Sequence, residues 1–574
     1  MDGMGKASAV GEDAMAAVAP EGGLFARLDP VSFGSSLLAV AWRAALHPYA
    51  ASGAFWQFGA SLAKIGPQAA RRWVAHGAGA NGQGGGPLAK DKRFADPTWR
   101  DNPAFFAIGQ AYFTGVELAN DLLAAGRGDR MTDAKARLAS DLILAALAPT
   151  NYLATNPAAL KRAFETGGAS VVAGTRNFLD DLRHNRGMPR QVDTTPFEIG
   201  RNLAATPGKV VFRNDLMELI QYAPQTPQVR SVPVLASPPW INKYYIMDLA
   251  PGRSFLEWAI THERTVFAIS YRNPDPSMSG VTLDDYLVHG PQTALDVITD
   301  ITGAPKIDII GLCLGGALTA MLAAYLAATG DPRLGSITLL NTLLDYSEPG
   351  VLGAFTDELT VARLERQMQE QGVLEGRQMA TTFDALRPND LIFNYVVSNW
   401  LLGQDPPAFD ILAWNSDNTR MPATMHAFYL RSLYLRNELA KGLMEIKGQR
   451  LSLADVSNDV YVVGAINDHI VPWPASYKTT GLMGGDARYV LSSGGHIAGI
   501  VNPPGPKPWY EVAKPPNPAD SRQWREGAER YIGSWWEDWA KWAGRRASRR
   551  VEPPPMGSEK YPALADAPGS YVHS

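Results

Sequence analysis

The chain has a single cysteine, and its surroundings suit a nucleophile better than a structural thiol. Cys313 lies in the segment GLCLGG, after a short apolar run and before an uncharged helical stretch. A nucleophile on a sharp turn between a strand and a helix needs residues without side chains two positions before and two positions after it. Gly311 and Gly315 meet that requirement. The N-terminus of the following helix would favour the thiolate, the reactive form. A buried structural cysteine is the alternative interpretation.

A nucleophile on such a turn is followed along the chain by an acid and then by a histidine. Asp468 and His496 each come just after a short β-branched run, which is where those partners are expected. We therefore predict Cys313, Asp468 and His496 as a catalytic set, with His496 as the base that takes the thiol proton. His469 is the competing base, but next to Asp468 it is expected to brace that loop. The histidines after Cys313 are His426, His469, His496 and His573.

Two backbone amides are expected to bind the negative oxygen that forms when a thiol attacks a carbonyl group. Leu314 follows the nucleophile directly and is expected to supply one amide, and the second is expected near Trp240 and Ile241 in the loop 237–248. No metal site is predicted. The histidines do not have the spacing of a metal site, and one cysteine cannot form a cysteine cluster.

The elements that must position these side chains follow from the hydrophobic pattern after about residue 205. Short β-branched runs alternate there with helical stretches, which predicts an α/β domain with a mostly parallel sheet. The predicted strands are 210–212, 232–236, 265–271, 306–310, 336–340, 460–463 and 487–491. The stretch 345–450 has no comparable strand, so it is predicted as a cap over the edge of the sheet where the site lies.

The chain before the sheet is predicted in two parts. Residues 1–90 form an Ala- and Gly-rich, partly flexible segment that includes a Gly-rich linker at 77–86. Residues 91–200 have apolar residues at helical spacing and are predicted as a helical domain. Residues 201–574 are predicted as the catalytic domain, with the cap inserted in it.

Composition limits the classes of protein to consider. The chain has 574 residues, 46% hydrophobic and 19% charged, with a net charge of −4. This is a globular composition without an electrostatic case for nucleic-acid binding. One cysteine excludes an intrachain disulfide, and a soluble cytoplasmic protein without a signal peptide is expected. The uncharged stretch 309–330 is long enough to cross a membrane, but glycines interrupt it, so a buried strand, turn and helix are predicted.

Motifs along the chain together resemble those of one bacterial enzyme family, the polyhydroxyalkanoate synthases. They are DKRFADPTWRDNP, PPWINKYYIMDL, ISYRNPD, GLCLGG, GAINDHIVPW and SSGGHIAGIVNPP, and they extend from about residue 91 to the C-terminus. The resemblance implies an α/β-hydrolase catalytic domain with a helical cap, preceded by a helical N-terminal domain. It also implies that Cys313 carries the acyl group, with His496 as its base and Asp468 as the acid.

The reaction that the resemblance implies is polymerisation of (R)-3-hydroxyacyl-CoA into a polyester, with release of coenzyme A. The chain length and the long N-terminal region favour the class I, single-subunit type, which uses short-chain monomers such as 3-hydroxybutyryl-CoA. No cofactor is expected, because coenzyme A is part of the substrate and a product. The implied partners are the growing polyester and its granule in the cytoplasm, granule-associated proteins and a second copy in a homodimer.

Three questions stay open at the level of the sequence. Asp468 could orient His496 or help to deprotonate the 3-hydroxyl group of an incoming acyl unit. A cysteine-dependent thioesterase or polyester hydrolase would have the same three residues, because only the acceptor, water or an alcohol, separates the reactions. A non-enzymatic granule-coat protein is the remaining class, and it would need neither the glycines around Cys313 nor the paired loops.

Two groups of aromatic side chains have alternative interpretations. Those of the predicted cap would either exclude water from Cys313 or form the cap's own core. Those of the last helix would either contact polymer or pack on the sheet, which we favour. The cap residues are Phe393, Tyr395, Trp400, Trp414, Phe428, Tyr429 and Tyr434, and the last helix carries Trp535, Trp536, Trp539 and Trp542.

Overall fold

A computed structural model describes residues 32–77, 86–514 and 517–574. Residues 1–31 of the predicted N-terminal segment, and most of the linker predicted at 77–86, lie outside the described residues. Contacts within the chain define two units. The first unit is Met1–Gln191 with Phe383–Pro407, and the second is Val192–Thr382 with Ala408–Ser574. The domain bounds predicted from the sequence stay a prediction, and the contacts assign part of the predicted cap to the first unit.

The first unit is helical. Its longer helices are α1 (Phe33–Ala45), α2 (Pro48–Gly77), α3 (Pro103–Ala125), α4 (Arg130–Ala146), α5 (Pro157–Glu165) and α6 (Ala169–His184). The sequence predicted no helix before residue 91, because Ala and Gly dominate that segment and hide its apolar spacing. The motif DKRFADPTWRDNP supplies part of this unit's core, in which the rings of Phe94 and Trp99 lie 4.7 Å apart.

Part of the predicted cap packs on this helical unit. Trp400 Nε1 donates a hydrogen bond to Asp181 Oδ2 of α6 at 2.8 Å. A Cβ on Gly174, also in α6, would lie 2.0 Å from the carbonyl oxygen of Trp400. Phe393, Tyr395 and Trp400 therefore belong to the first unit by their contacts, together with the rest of Phe383–Pro407.

The second unit is built on one large mixed sheet. The strands described in it are β1 (Gly208–Arg213), β2 (Met217–Tyr222), β3 (Val234–Ser237), β4 (Val266–Tyr271), β5 (Ile307–Leu312), β6 (Leu334–Leu340), β7 (Val460–Ala465), β8 (Ala487–Ser492), β9 (Trp509–Val512), β10 (Glu529–Ile532) and β11 (Ala565–Asp566). Their order across the sheet is β10-β9-β8-β7-β6-β5-β3-β4-β2-β1-β11. The neighbours from β8 to β4 pair in parallel, and antiparallel strands extend both edges. The predicted α/β fold is confirmed.

Helices connect and cover these strands. Apart from one short helix at Thr479–Leu482, those described are α7 (Phe255–Thr261), α8 (Leu283–Leu287), α9 (Thr293–Thr302), α10 (Leu314–Thr329), α11 (Glu358–Gln371), α12 (Gly376–Leu386), α13 (Asp410–Ser416), α14 (Ala423–Tyr429), α15 (Trp473–Tyr477), α16 (Ser521–Glu526) and α17 (Trp535–Arg546). Strands β4, β5 and β7 are buried at every position, as expected for parallel strands with helices on both faces. The stretch 309–330 is a buried strand, a turn and a helix, as predicted. Among the described residues, none of the helices is both long and apolar enough to cross a membrane.

One fully buried strand was missed because it carries polar residues. β2 contains Glu218 and Gln221, although all six of its positions are buried. Glu218 accepts hydrogen bonds from Arg213 Nε at 2.8 Å and from the backbone amide of Ser570 at 2.9 Å. The backbone amide of Ser570 comes from the far end of the chain, so the strand's own pattern does not indicate the burial of Glu218.

The last helix, α17, packs on the sheet, which confirms the favoured interpretation. Trp535, Trp536 and Trp539 are at most 1% exposed, and Trp542 is 8% exposed. Trp539 Nε1 donates to Thr338 Oγ1 of β6 at 3.0 Å. These rings belong to the same hydrophobic core as the strands.

We predict that Trp539→Ala lowers the free energy of unfolding by about 3–5 kcal/mol, the range for truncation of a large buried aromatic side chain. Urea unfolding measures the change. Lys541→Ala is the matched control, because Lys541 is exposed on the same helix and is expected to change stability little. Equal stability of the two variants would contradict the packing of α17 on the sheet.

The buried carboxyl group of Asp248 lies at the end of the loop that follows β3 and binds three hydroxyl groups. Asp248 accepts hydrogen bonds from Thr206 Oγ1, from Ser254 Oγ at 2.7 Å and from Tyr222 OH at 2.9 Å. Burial raises the pKa of Asp248 from 3.8 to about 6, although the three hydrogen bonds lower it. The ionised form of Asp248 is therefore disfavoured in the folded state, and its protonation stabilises the fold.

The pKa of Asp248 predicts how stability changes with pH. Because the folded pKa is raised, the stabilising contribution is complete below the ordinary pKa and is lost as pH rises through about 6. Asn does not titrate, so the wild type should lose about 3 kcal/mol relative to Asp248→Asn between about pH 3 and about pH 7. Urea unfolding of both proteins across this range is the measurement. A constant difference would show that Asp248 does not titrate with the raised pKa.

Candidate active site

Cys313 lies on the turn between β5 and α10 with the unusual backbone angles φ 52° and ψ −115°. The neighbouring glycines are needed because any side chain at their positions would clash with nearby atoms. A Cβ on Gly311 would lie 2.5 Å from Gly316 Cα, and one on Gly315 would lie 2.1 Å from Ser237 O. Gly316 was predicted only to interrupt the uncharged stretch 309–330, yet a Cβ there would lie 1.9 Å from Thr342 Oγ1. The turn is therefore fixed by close packing against its surroundings.

The loops after β7 and β8 bring an acid and a histidine together. His496 Nδ1 lies 2.7 Å from Asp468 Oδ2, and the Asp468 side chain is fully buried. The other oxygen, Oδ1, accepts hydrogen bonds from the backbone amides of Ile470 at 2.9 Å and Val471 at 2.8 Å. Both oxygens of Asp468 are thus occupied, and the carboxylate fixes the ring of His496. His469 follows Asp468 in the same turn and is half-buried.

The structure places His496 between Asp468 and Cys313. Burial by itself lowers the pKa of His496, but the charges of Asp468 and Cys313 and hydrogen bonds to both raise it. The net pKa of His496 lies well above its ordinary value. With Nδ1 on Asp468, the other ring nitrogen, Nε2, is the one available to Cys313. The imidazolium that forms when His496 takes a proton is therefore stabilised.

The predicted oxyanion site lies where two segments touch. Leu314 is the first residue of α10, where backbone amides have no partner within the helix. The loop that contains Ile241 begins beside the turn, since a Cβ on Gly315 would also lie 2.5 Å from Pro238 O. Ile241 is 9% exposed. The roles of the Leu314 and Ile241 amides stay a prediction.

Three tyrosines lie near the thiol. Burial raises the pKa of Tyr346, Tyr429 and Tyr434, and the nearby Cys313 raises each of them further. The rings of Tyr346 and Tyr434 lie 4.8 Å apart, and those of Tyr429 and Tyr434 lie 5.5 Å apart. Tyr429 also contacts Trp240 of the loop after β3, at 5.9 Å between rings. Tyr346 was missed from the sequence, because no local pattern connects it with Cys313.

The aromatic residues of the predicted cap thus divide by location. Tyr429 and Tyr434 lie beside Cys313, whereas Trp414 packs in the core and donates from Nε1 to the Lys243 carbonyl oxygen at 2.8 Å.

Among the described residues, there is no group of three or more His, Cys, Asp or Glu side chains that could hold a metal ion. The expectation that the protein needs no cofactor stays a prediction.

The geometry predicts how the thiol reacts with an alkylating reagent. His496→Ala removes the imidazole beside Cys313 that we predict to be the base, so the rate of iodoacetamide modification at neutral pH should fall about tenfold or more. His469→Ala is the matched control and should change the rate less than about threefold. Mass spectrometry of the modified protein measures both, with Cys313→Ala as the unreactive blank. Equal effects of the two histidine variants would make the assignment of the base wrong.

Comparison with known proteins confirms the resemblance read from the motifs. The family model described as the poly-beta-hydroxybutyrate polymerase (PhaC) N-terminus matches residues 90–259, and the model of the alpha/beta hydrolase fold matches residues 242–503. The chain is 42% identical over 497 residues to the poly(3-hydroxyalkanoate) polymerase subunit PhaC of Cupriavidus necator, covering 85% of this chain and 83% of that protein. It is 43% identical over 491 residues to the poly(3-hydroxyalkanoate) polymerase of Methylorubrum extorquens, covering 85% and 81%. Since this similarity extends over more than four fifths of each chain, the protein belongs to the poly(3-hydroxyalkanoate) polymerase family.

Proposed function

We propose that this protein polymerises (R)-3-hydroxyacyl-CoA into a polyester and releases coenzyme A, with Cys313 as the residue that carries the acyl group. The observation that carries the proposal is the contact of Cys313 with a histidine whose ring is held by a buried carboxylate, in a chain of this family. A thiolate suits a thioester substrate, because exchange of one thioester for another is nearly balanced in energy.

The first step is transfer of the acyl group to the enzyme. His496 takes the proton of the Cys313 thiol, and the sulfur attacks the thioester carbonyl carbon. The carbonyl oxygen becomes negative and is bound by the amide of Leu314 and an amide near Ile241. The bond to the sulfur of coenzyme A then breaks, and His496 returns the proton to that sulfur.

The second step extends the polymer. The 3-hydroxyl group of another acyl unit attacks the thioester on Cys313, forms an ester bond and releases the thiol. His496 takes the hydroxyl proton and returns it to the sulfur of Cys313. Asp468 orients His496 and does not itself deprotonate the hydroxyl. This choice is supported by its two oxygens, of which one is bound to His496 and the other to two backbone amides.

Aromatic burial beside Cys313 supports transfer to an alcohol over hydrolysis. Tyr346 and Tyr429 are 3% and 4% exposed, and Trp240 is 2% exposed. Water at tens of molar competes with any alcohol unless the site excludes it. A hydroxyl group held beside the thioester has a high effective concentration, which favours ester formation.

Several finer parts of the proposal rest on family resemblance. They are a preference for short-chain monomers such as 3-hydroxybutyryl-CoA, a class I single-subunit enzyme and activity as a homodimer. They also include location in the cytoplasm on polyester granules, contact with granule-associated proteins, and independence of any cofactor apart from the coenzyme A of the substrate.

The products from 3-hydroxybutyryl-CoA test the proposal. Released coenzyme A, free 3-hydroxybutyrate and insoluble polyester are measured in parallel from the first turnovers, and polyester should contain most of the acyl units. Cys313→Ala is the control and should release no coenzyme A. Free acid as the main product would make the protein a thioesterase, and undiminished release by Cys313→Ala would exclude the acyl-enzyme.

A further inference from the structure

Two consecutive residues at the end of β6 contact all three parts of the chain that carry the proposed catalytic groups. The carbonyl oxygen of Leu340 accepts a hydrogen bond from the amide of Cys313 at 2.8 Å. The amide of Asn341 donates to the carbonyl oxygen of Val463 at 2.8 Å, in the strand that leads to Asp468. Asn341 Nδ2 donates to the carbonyl oxygen of His496.

Asn341 combines a buried side chain with a left-handed backbone conformation. It is fully buried, and its φ of 42° lies in the left-handed region, which Asn tolerates better than most other residues. Its Oδ1 atom is buried and has no hydrogen-bond partner within the described part of the chain. The side chain therefore makes its described hydrogen bond through Nδ2, and that bond goes to the backbone of His496.

We propose that Asn341 is a positioning residue, which sets the place of His496 relative to Cys313 and Asp468. This inference rests on the proposed function in one respect, namely that His496 is the base. Asp468 holds the ring of His496 at Nδ1, and Asn341 holds the backbone of the same residue. The amide of Cys313 is bound to the residue next to Asn341, so a single junction sets the separation of thiol and imidazole.

Other contacts hold the far side of the same loop. Trp535 Nε1 donates to the carbonyl oxygen of Gly499, and Trp536 Nε1 donates to that of Ile500, each at 2.9 Å. These bonds are independent of Asn341, so we expect them to keep the loop folded when the bond at His496 is lost. Removal of the Asn341 amide should therefore displace His496 without unfolding the loop.

The test compares two Asn→Asp variants. Asn341→Asp retains the shape and tolerates the same backbone angle, but it places a carboxylate oxygen against the His496 carbonyl. Asn458→Asp is the matched control. Asn458 Nδ2 donates to the carbonyl oxygens of Leu334 at 3.0 Å and Gly335 at 2.7 Å, at the opposite end of β6. Both variants thus place a carboxylate against backbone carbonyl oxygens, but only that of Asn341 faces His496, whereas that of Asn458 faces Leu334 and Gly335 in β6.

The full-length variants are assayed for melting temperature, for kcat and KM of coenzyme A release, and for the rate of iodoacetamide modification. Asn341→Asp should lower kcat about 10- to 100-fold with little change in KM, and should slow alkylation. Asn458→Asp should keep wild-type kcat and alkylation, even if its melting temperature falls. Wild-type kcat and alkylation in folded Asn341→Asp would overturn the proposal.

A second variant decides the matter if Asn341→Asp is not obtained folded. Asn341→Gly accepts the left-handed backbone and lacks the amide, so it should fold and should also lower kcat and the alkylation rate. Wild-type values in this variant would likewise overturn the proposal. Alkylation needs no acyl substrate. A wild type that releases no coenzyme A, while alkylation still falls in the Asn341 variants, would therefore contradict the proposed function and leave the positioning role intact.

Discussion

The close packing of the turn at Cys313 is the constraint on which the site depends. Gly315 lies so near the end of β3 that a Cβ would be 2.1 Å from Ser237 O, and Gly316 lies against Thr342 just beyond β6. Strands β3 and β6 lie on either side of β5, the strand that leads to Cys313. The backbone atoms of β3 cannot move aside as a flexible side chain could, so the position of the thiol is set by the sheet itself.

The sheet also determines where the histidine and the acid lie. β7 and β8 pair in parallel with Ala465 opposite Ser492, so the loops after them leave at the same edge as the turn after β5. Both strands are largely buried, and a shift of one residue would move every side chain to the opposite face of the sheet and out of the close packing that it makes there. Hydrophobic burial therefore holds the register that brings Asp468 within 2.7 Å of His496.

The buried charges of the site stabilise one another. His496 is 6% exposed, so its charged form depends on Asp468 and Cys313 as partners. Asp468 in turn depends on His496 and on the amides of Ile470 and Val471. Removal of one group takes away a partner of its buried neighbour, and the effects of such changes are not expected to add. The tyrosines beside Cys313 keep raised pKa values and remain uncharged, so they enclose the site without adding a further charge.

The sequence by itself determined the features that depend on neighbouring residues. The turn at Cys313 could be predicted because strand, glycines and helix are contiguous, and Asp468 and His496 could be chosen because each follows a strand of a parallel sheet.

Tertiary structure decided what depends on residues far apart in the chain. Tyr346 beside the thiol, the amide of Asn341 on His496 and the partners of buried Glu218 leave no local pattern. The same holds for Phe383–Pro407, whose contacts place it in the helical unit. Local pattern reports which face of an element is apolar, whereas the partner of that face, or of a buried polar group, is fixed only when the chain folds.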